Sequence, residues 1–400
     1  MEKVVLLVDM NNYYASVESL YNPNLRRVPM AVVGDPAMRH GIILAKNDLA
    51  KKCGVMTAES IYAAKQKCPN LTTVMADYPK YVKYAKLARE IYSQYSDDVI
   101  HFGLDESWIV LTGKVDSIEA GRRIADDIRE RIKAELGLTV SVGVSYNFIF
   151  SKLASDMKKP DATTVLTKED LQPVIWELPA FELLFVGKAT RKKLTEAGIL
   201  TIGDLARSDI RFIRKLLGKN GETLWFFANG NDCGFDPRTP ADNPFKSIGN
   251  TITMPYDLHN ELDILTMLYV LSKTVSARLK KHTVKAGCVS ILLKYSDFKT
   301  INRQLTVANP INDEQALYIN ARQLFRANFD NCRDNGSLRA VRSVGIHVSK
   351  LDKNIYEQLS LFDKKPESIE EIGEIERNLK GRLRELKVEK YFGFTEDIVS

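Results

Sequence analysis

Cysteine is scarce in this 400-residue chain, and its spacing is uninformative. The five are Cys53, Cys68, Cys233, Cys288 and Cys332, odd in number and widely scattered, with no C-x-x-C pair. That argues against a disulfide framework and a cysteine-held zinc site, and for a reducing cytoplasm. Five histidines are equally dispersed and make no metal-ligand pattern. No apolar run reaches transmembrane length and no secretory h-region is present, so no membrane partner is expected. Asn70-Leu71-Thr72 and Asn335-Gly336-Ser337 match the glycosylation acceptor pattern, by chance in an intracellular protein. A strong charge of one sign is also missing. The net charge of +6 is a mild basic excess, compatible with nucleic acid but not diagnostic of it.

What is present starts with Val4-Val5-Leu6-Leu7-Val8-Asp9. This apolar, β-branched run reads as a buried strand that ends in a carboxylate. About a hundred residues later, Asp105-Glu106 sits between Val99-Ile100-His101-Phe102 and Trp108-Ile109-Val110-Leu111, the pattern of a β-hairpin with acids near its turn. Acids from two strand ends can meet in space. Three carboxylates there would be hard oxygen ligands for Mg²⁺. Asp9 alone is weak evidence, since most strand-end aspartates are turn formers.

The chain is too long for one core, so several domains are expected. The N-terminal part alternates strand and helix: strand 3–8, helix 11–20, helix 79–96, hairpin 98–111, helix 116–136 and strand 139–145. This order suggests a βαββαβ unit with one sheet face covered. Short elements are inserted between the first helix and Asp77. Residues 167–234 read as short helices, and the Pro- and Gly-rich stretch 234–245 as a linker. A second strand–helix–hairpin–helix–strand follows at 247–254, 260–281, 286–307, 312–330 and 338–349. Residues 246–350 carry 15 Lys and Arg against 8 Asp and Glu, so much of the basic excess sits there. After Pro366, Ile369, Ile372, Ile375, Leu379, Leu383 and Leu386 form one stripe, which suits docking on the protein or a partner.

Three motifs together carry a specific resemblance. Asp9-Met10-Asn11-Asn12-Tyr13-Tyr14-Ala15-Ser16-Val17-Glu18, Leu104-Asp105-Glu106-Ser107, and Ser141–Ser145 through Lys152–Pro160 resemble the three catalytic motifs of the Y-family, lesion-bypass DNA polymerases. Order and spacing match over residues 1 to about 350, and the Asn-x-x-Tyr-Ala start resembles the UmuC-like branch more than the DinB-like one. The resemblance implies an α+β right-hand polymerase. Its parts would be a ferredoxin-like palm (1–23 and 78–166), small fingers (24–77), a helical thumb with a helix–hairpin–helix (167–234), a linker (235–245), a little finger (246–350) and a C-terminal tail (351–400). It implies template-directed translesion synthesis on primed template DNA with deoxynucleoside triphosphates.

The resemblance also assigns residues. Asp9, Asp105 and Glu106, with the Met10 carbonyl, would hold two Mg²⁺ ions. Tyr14 would be the steric gate beneath the sugar, with Tyr13 its packing partner. Lys159, before Pro160, would meet the triphosphate as a point charge, with Lys152 on the same helix. In the fingers many relatives have Tyr and Arg where this chain has Asp48 and Lys51, so only Lys51 is carried over. Gly187 and Lys188 open the thumb hairpin, aimed at a DNA phosphate. Lys280, Lys281, Lys285, Lys294, Lys299 and Arg303 would face DNA from the little finger. Gln358-Leu359-Ser360-Leu361-Phe362 resembles the peptide that binds the bacterial sliding clamp, with exposed apolar anchors. Accessory subunits are a further possible partner. Two other classes compete: another two-metal enzyme such as a nucleotide cyclase, and a DNA- and clamp-binding accessory protein of the damage response with little catalysis. The basic second domain argues against the first, and the intact acids against the second.

Overall fold

The computed structural model describes residues 3–39, 41–232, 235–238, 246–328, 333–334, 337–353 and 370–388. The linker residues 239–245 and the peptide Gln358–Phe362 lie outside them. The chain divides into two compact units: residues 1–34 with 42–238, and residues 35–41 with 239–400.

The first unit is built on β1 (Val5–Met10), every residue of which is buried. Helix α1 (Tyr13–Tyr21) follows; Asn12 precedes it in the left-handed region, φ 52°, a conformation asparagine tolerates. A small sheet is inserted next, with β2 (Met30–Val33), β3 (Ile43–Lys46), α2 (Asp48–Lys52), α3 (Ile61–Lys67) and β4 (Thr72–Met75). Its strand order is β3-β2-β4. Asn47 starts α2: its Oδ1 accepts from Ala50 N and Met30 N, and its amide donates to Leu25 O and Val28 O. The chain returns through α4 (Tyr78–Tyr92), β5 (Val99–Phe102), β6 (Glu106–Val110), α5 (Ile118–Arg131), β7 (Val140–Ser145), α6 (Phe148–Met157) and β8 (Thr163–Leu166).

These strands form one sheet, order β5-β6-β1-β7-β8, with β1 antiparallel to β6 and β7 and β7 parallel to β8. The βαββαβ unit is present. Both faces of its central strand are covered, however, not one. Val4, Leu6 and Val8 point into the larger core, whereas Val5 and Leu7 meet Ile100, Trp108 and Phe148. The continuous apolar run of β1 carries that double burial; a strand with one wet face would alternate. Helix α6 covers the second face closely because Gly143 has no side chain. A Cβ there would lie 1.9 Å from Ser151 O and 2.4 Å from Ser155 N. Trp108, fully buried, donates its indole N–H to Phe148 O and Ser151 Oγ, each at 3.1 Å. Four helices complete the unit: α7 (Lys188–Glu196), α8 (Ile202–Arg207), α9 (Ile210–Leu217) and α10 (Lys219–Ala228).

The second unit contains β9 (Ser247–Leu258), α11 (Glu261–Lys281), β10 (Lys285–Tyr295), β11 (Thr300–Ile311), α12 (Glu314–Ala327), the short pair β12 (Arg333–Asp334) and β13 (Ser337–Leu338), β14 (Val341–Asp352) and α13 (Glu370–Glu385). Its main sheet is antiparallel, order β11-β10-β14-β9. The stripe after Pro366 docks on this unit from Ile372 onward; Ile369 lies outside the described residues. Ile372, Ile375 and Leu386 are buried in its core, and Arg382 pairs with Asp263 at 2.6 Å. Among the described residues no helix is long and apolar enough to cross a membrane.

Candidate active site

Strand register brings the acids together. Asp9 on β1 stands directly opposite Glu106 on β6, and Met10 N donates to Asp105 O at 3.1 Å. Asp9 is buried and Glu106 nearly so, with side chains 7% and 19% exposed. Helix α6, drawn close by Gly143, delivers a lysine to them: Lys152 Nζ lies 3.1 Å from Asp9 Oδ2, 3.1 Å from Glu106 Oε1 and 2.8 Å from Asp156 Oδ2. Lys159 Nζ lies 2.7 Å from both Asp9 Oδ2 and Asp156 Oδ1. These groups open into a cleft of about 550 Å³, also lined by Met10, Asn11, Asn12, Tyr13, Leu44, Ala45, Lys46, Asp48, Lys51, Thr57 and Asp105.

The electrostatics follow from burial. Desolvation, reinforced by the Asp9 charge, raises the Asp105 carboxyl above its ordinary value. Glu106 is pushed up to about 7, again chiefly by burial, with Lys152 opposing and Asp9 reinforcing the shift. Burial by itself would weaken the Lys152 ammonium, but Asp9, Glu106 and Asp156 outweigh it and raise that pKa. Lys159 is raised in the same way by Asp9 and Asp156.

The three acids were expected to supply hard oxygen ligands to metal ions, not to be gathered beforehand into a cage. Among the described residues no three such side chains are gathered into one. Lys152 bridges Asp9 and Glu106 instead, which relieves the repulsion between them. The donor set still fits a divalent cation. It is all hard oxygen, and Glu106 Oε2 is buried without a hydrogen-bond partner.

The other expected residues fall as follows. Tyr13 is buried, lines the cleft and donates its hydroxyl to Tyr81 O. Tyr14 is half-buried and stacks on Tyr81, ring centroids 4.1 Å apart and 9° from parallel. Lys51 pairs with Asp48 at 3.4 Å, and Asp48 also accepts from Asn12 Nδ2 at 3.1 Å. An aspartate in this cleft is therefore partnered from two elements. Gly187 precedes α7 in extended backbone without a side-chain cap, and Lys188 is the helix's first residue. The arm before that hairpin is a single turn, Ala180–Glu182.

The six basic residues of the second unit do not make one surface. Arg303 pairs in register with buried Ile291, on the helix-covered face, and its Nε donates to Asn328 Oδ1 at 2.9 Å. Lys294 alternates with buried Leu293 and Tyr295, so it faces the other way. There it sits 4.8 Å over the exposed Phe298 ring, with Arg342 at 5.0 Å. Lys285 alternates with buried Ala286, Lys299 lies in the turn between β10 and β11, and Lys280 and Lys281 close α11. A strand's period of two separates residues that look adjacent along the chain. Reading the sequence missed Asp156, Lys46, Asn12 and Arg342. Of these only Asp156 leaves a signal there, the helical spacing Lys152-x₃-Asp156-x₂-Lys159.

The chain is similar to known proteins over most of its length. The impB/mucB/samB family model matches residues 8–156, and the model of that family's C-terminal domain matches 245–361. A protein of Acetivibrio thermocellus named DNA polymerase IV is 46% identical over 365 residues, 90% of each chain. DNA polymerase IV of Clostridium kluyveri is 36% identical, over 94% of each. The chain belongs to the Y family of DNA polymerases. DNA polymerase IV 1 of Bacillus subtilis is 35% identical, covering 93% of this Y-family chain and 89% of its own. In fold, this Y-family chain is similar to a Y-family DNA polymerase chimera, with a TM-score of 0.76 at 23% identity, over 88% of this chain and 100% of that one. That likeness covers the α+β right-hand architecture expected from the motifs. None of these likenesses singles out the UmuC-like branch.

Proposed function

We propose that this DNA-directed DNA polymerase of the translesion class joins deoxynucleotides to a primer at Asp9, Asp105 and Glu106. The observation that carries the reading is the register of Asp9 opposite Glu106, with Lys152 and Lys159 beside them in one cleft. Asp9, Asp105, Glu106 and the Met10 carbonyl would hold two Mg²⁺ ions, whose chemistry is to activate the primer hydroxyl and neutralise charge at phosphorus and on the leaving pyrophosphate. Glu106, with its unpartnered Oε2, is the carboxylate on the primer side. Lys159 is the point charge for the triphosphate, leaving Asp9 for a phosphate oxygen. Lys152 keeps the acids together and holds the cleft's charge near balance. Tyr14, backed by Tyr81, would lie beneath the sugar and clash with a ribose 2′-hydroxyl.

We assign residues 1–23 and 78–166 to the palm, 24–77 to the fingers, 167–234 to the thumb and 246–350 to the little finger. Primed DNA would meet backbone N–H groups at Gly187 and Lys188, and cations at Lys294 and Arg342. Gln358-Leu359-Ser360-Leu361-Phe362 would tether the enzyme to the sliding clamp. The test is primer extension by the wild type and by Glu106→Gln. The variant should bind primed DNA normally and lose extension by about 10³-fold, the scale of removing a major stabiliser of the transition state. Near-normal extension would defeat the assignment.

A further inference from the structure

The cleft has more positive charge than the family's motifs explain. It is lined by five carboxylates (Asp9, Asp48, Asp105, Glu106 and Asp156) and four lysines (Lys46, Lys51, Lys152 and Lys159). Three of the lysines are engaged with acids. Lys51 is on Asp48, Lys152 on Asp9, Glu106 and Asp156, and Lys159 on Asp9 and Asp156. Lys46, the last residue of β3, differs. Its ammonium donates to the Thr57 hydroxyl at 2.9 Å, and among the described residues no carboxylate is ion-paired with it. The acid whose charge it feels, Glu59, is taken by Lys67 at 2.6 Å and by Met56 N at 2.7 Å. Partial burial and the Lys51 charge both disfavour the charged form, so an anion placed there would be welcome.

We propose that Lys46 is the fingers-side cation that binds the polyphosphate tail of the incoming nucleotide. This rests on the reading of the cleft as the nucleotide site. An entering polyanion must break an ion pair to recruit any of the other three lysines. To recruit Lys46 it displaces only a neutral hydrogen bond, the weakest of these ties. Asp48 strengthens the case, because it holds Lys51 and Asn12 and so lowers the positive charge Lys51 can offer. Lys46 and Lys159 would then approach the tail from β3 and from the end of α6.

The experiment compares Lys46→Gln, Lys46→Arg and Thr57→Val with the wild type in steady-state primer extension, and measures inhibition by inorganic pyrophosphate. Lys46→Gln should raise the nucleotide KM by about ten-fold or more, equally for all four bases, while kcat changes little. Pyrophosphate inhibition should weaken in parallel. Lys46→Arg should recover most of the affinity, and Thr57→Val should keep a near-normal KM, since the hydroxyl only holds the ammonium at rest. Unchanged KM and pyrophosphate inhibition in Lys46→Gln overturn the proposal. So does equal damage in Lys46→Gln and Thr57→Val, which would make the pair a brace for the turn. A Glu106→Gln protein that still extends primers would remove the site itself and this inference with it. An unchanged KM in Lys46→Gln removes the inference alone.

Discussion

Replacing Lys152 by Met keeps the length of the side chain and removes its charge. The Lys152 side chain is 14% exposed, and its ammonium touches three carboxylates, at 3.1, 3.1 and 2.8 Å. Removing one partner of a buried ion pair costs roughly 3–5 kcal/mol, because the other charge is left unpaired. Two features hold the cost below that ceiling. Asp9 and Asp156 each keep Lys159 at 2.7 Å. Glu106 keeps no cation, but its carboxyl is already raised to about 7 and can take a proton instead of remaining charged. The expected loss is therefore about 2–3 kcal/mol at pH 7.

The assay is urea unfolding of chelator-treated protein, wild type against Lys152→Met, at pH 7.5 and pH 5.5. At the lower pH Glu106 is protonated in both proteins, so Lys152 no longer gains from it and the deficit should shrink. Divalent cation should stabilise the variant more than the wild type, since it supplies the charge the variant lacks and binds only the folded state. A deficit below about 0.5 kcal/mol at pH 7.5 would mean that these contacts are solvent-screened pairs of little worth. A deficit that grows at pH 5.5 would refute the role given to Glu106.

Three further outcomes are expected. Tyr14→Ala should raise ribonucleotide incorporation relative to deoxyribonucleotide by about 10²-fold, read from single-nucleotide extension; an unchanged ratio would move the gate to another residue. Glu106 has a folded-state pKa above its ordinary 4.5, so its contribution to metal-free stability is fully present below that value and lost as pH rises through about 7. Wild-type stability relative to Glu106→Gln should accordingly fall between pH 5 and pH 8, and a flat difference would contradict the burial argument. Changing Leu361 and Phe362 together to Ala should abolish clamp-stimulated synthesis, about 2–4 kcal/mol of binding, while clamp-free extension stays near wild type. Equal stimulation of both proteins would place the tether elsewhere.

The acids were legible because strand-end carboxylates leave local marks. An unbroken apolar run ending in Asp9 and a hairpin bearing Asp105-Glu106 are both visible without tertiary knowledge. Their register, Asp9 against Glu106, follows once β1 and β6 pair. The cations were less legible. Helical spacing shows that Lys152, Asp156 and Lys159 share a face, but not that the two lysines would reach back onto the acids. Lys46 could not be read at all, and Asp48 was noticed without a role, since nothing local says that the inserted sheet brings them beside Asn12 and the palm acids. Arg303 shows the opposite case. Its neighbours in sequence, Asn302 and Gln304, are polar and exposed, while its parity on β11 puts it opposite the buried Ile291.

The chemistry also depends on packing far from any charge. Lys152 meets Asp9 only because α6 lies against β7, and α6 lies there only because Gly143 leaves room for Ser151 O and Ser155 N. Leu7 pairs in register with Gly143 on one side and with Trp108 on the other. The indole N–H of Trp108 then ties Phe148 O and Ser151 Oγ to that face. A glycine, a tryptophan and two serine positions therefore set the distance between a lysine and the acids it balances. The third motif reads as a run of small residues followed by lysines because the small residues position the lysines. The second face of β1, wet in a bare βαββαβ unit, is covered here so that cationic side chains can stand at the end of the strand that carries Asp9.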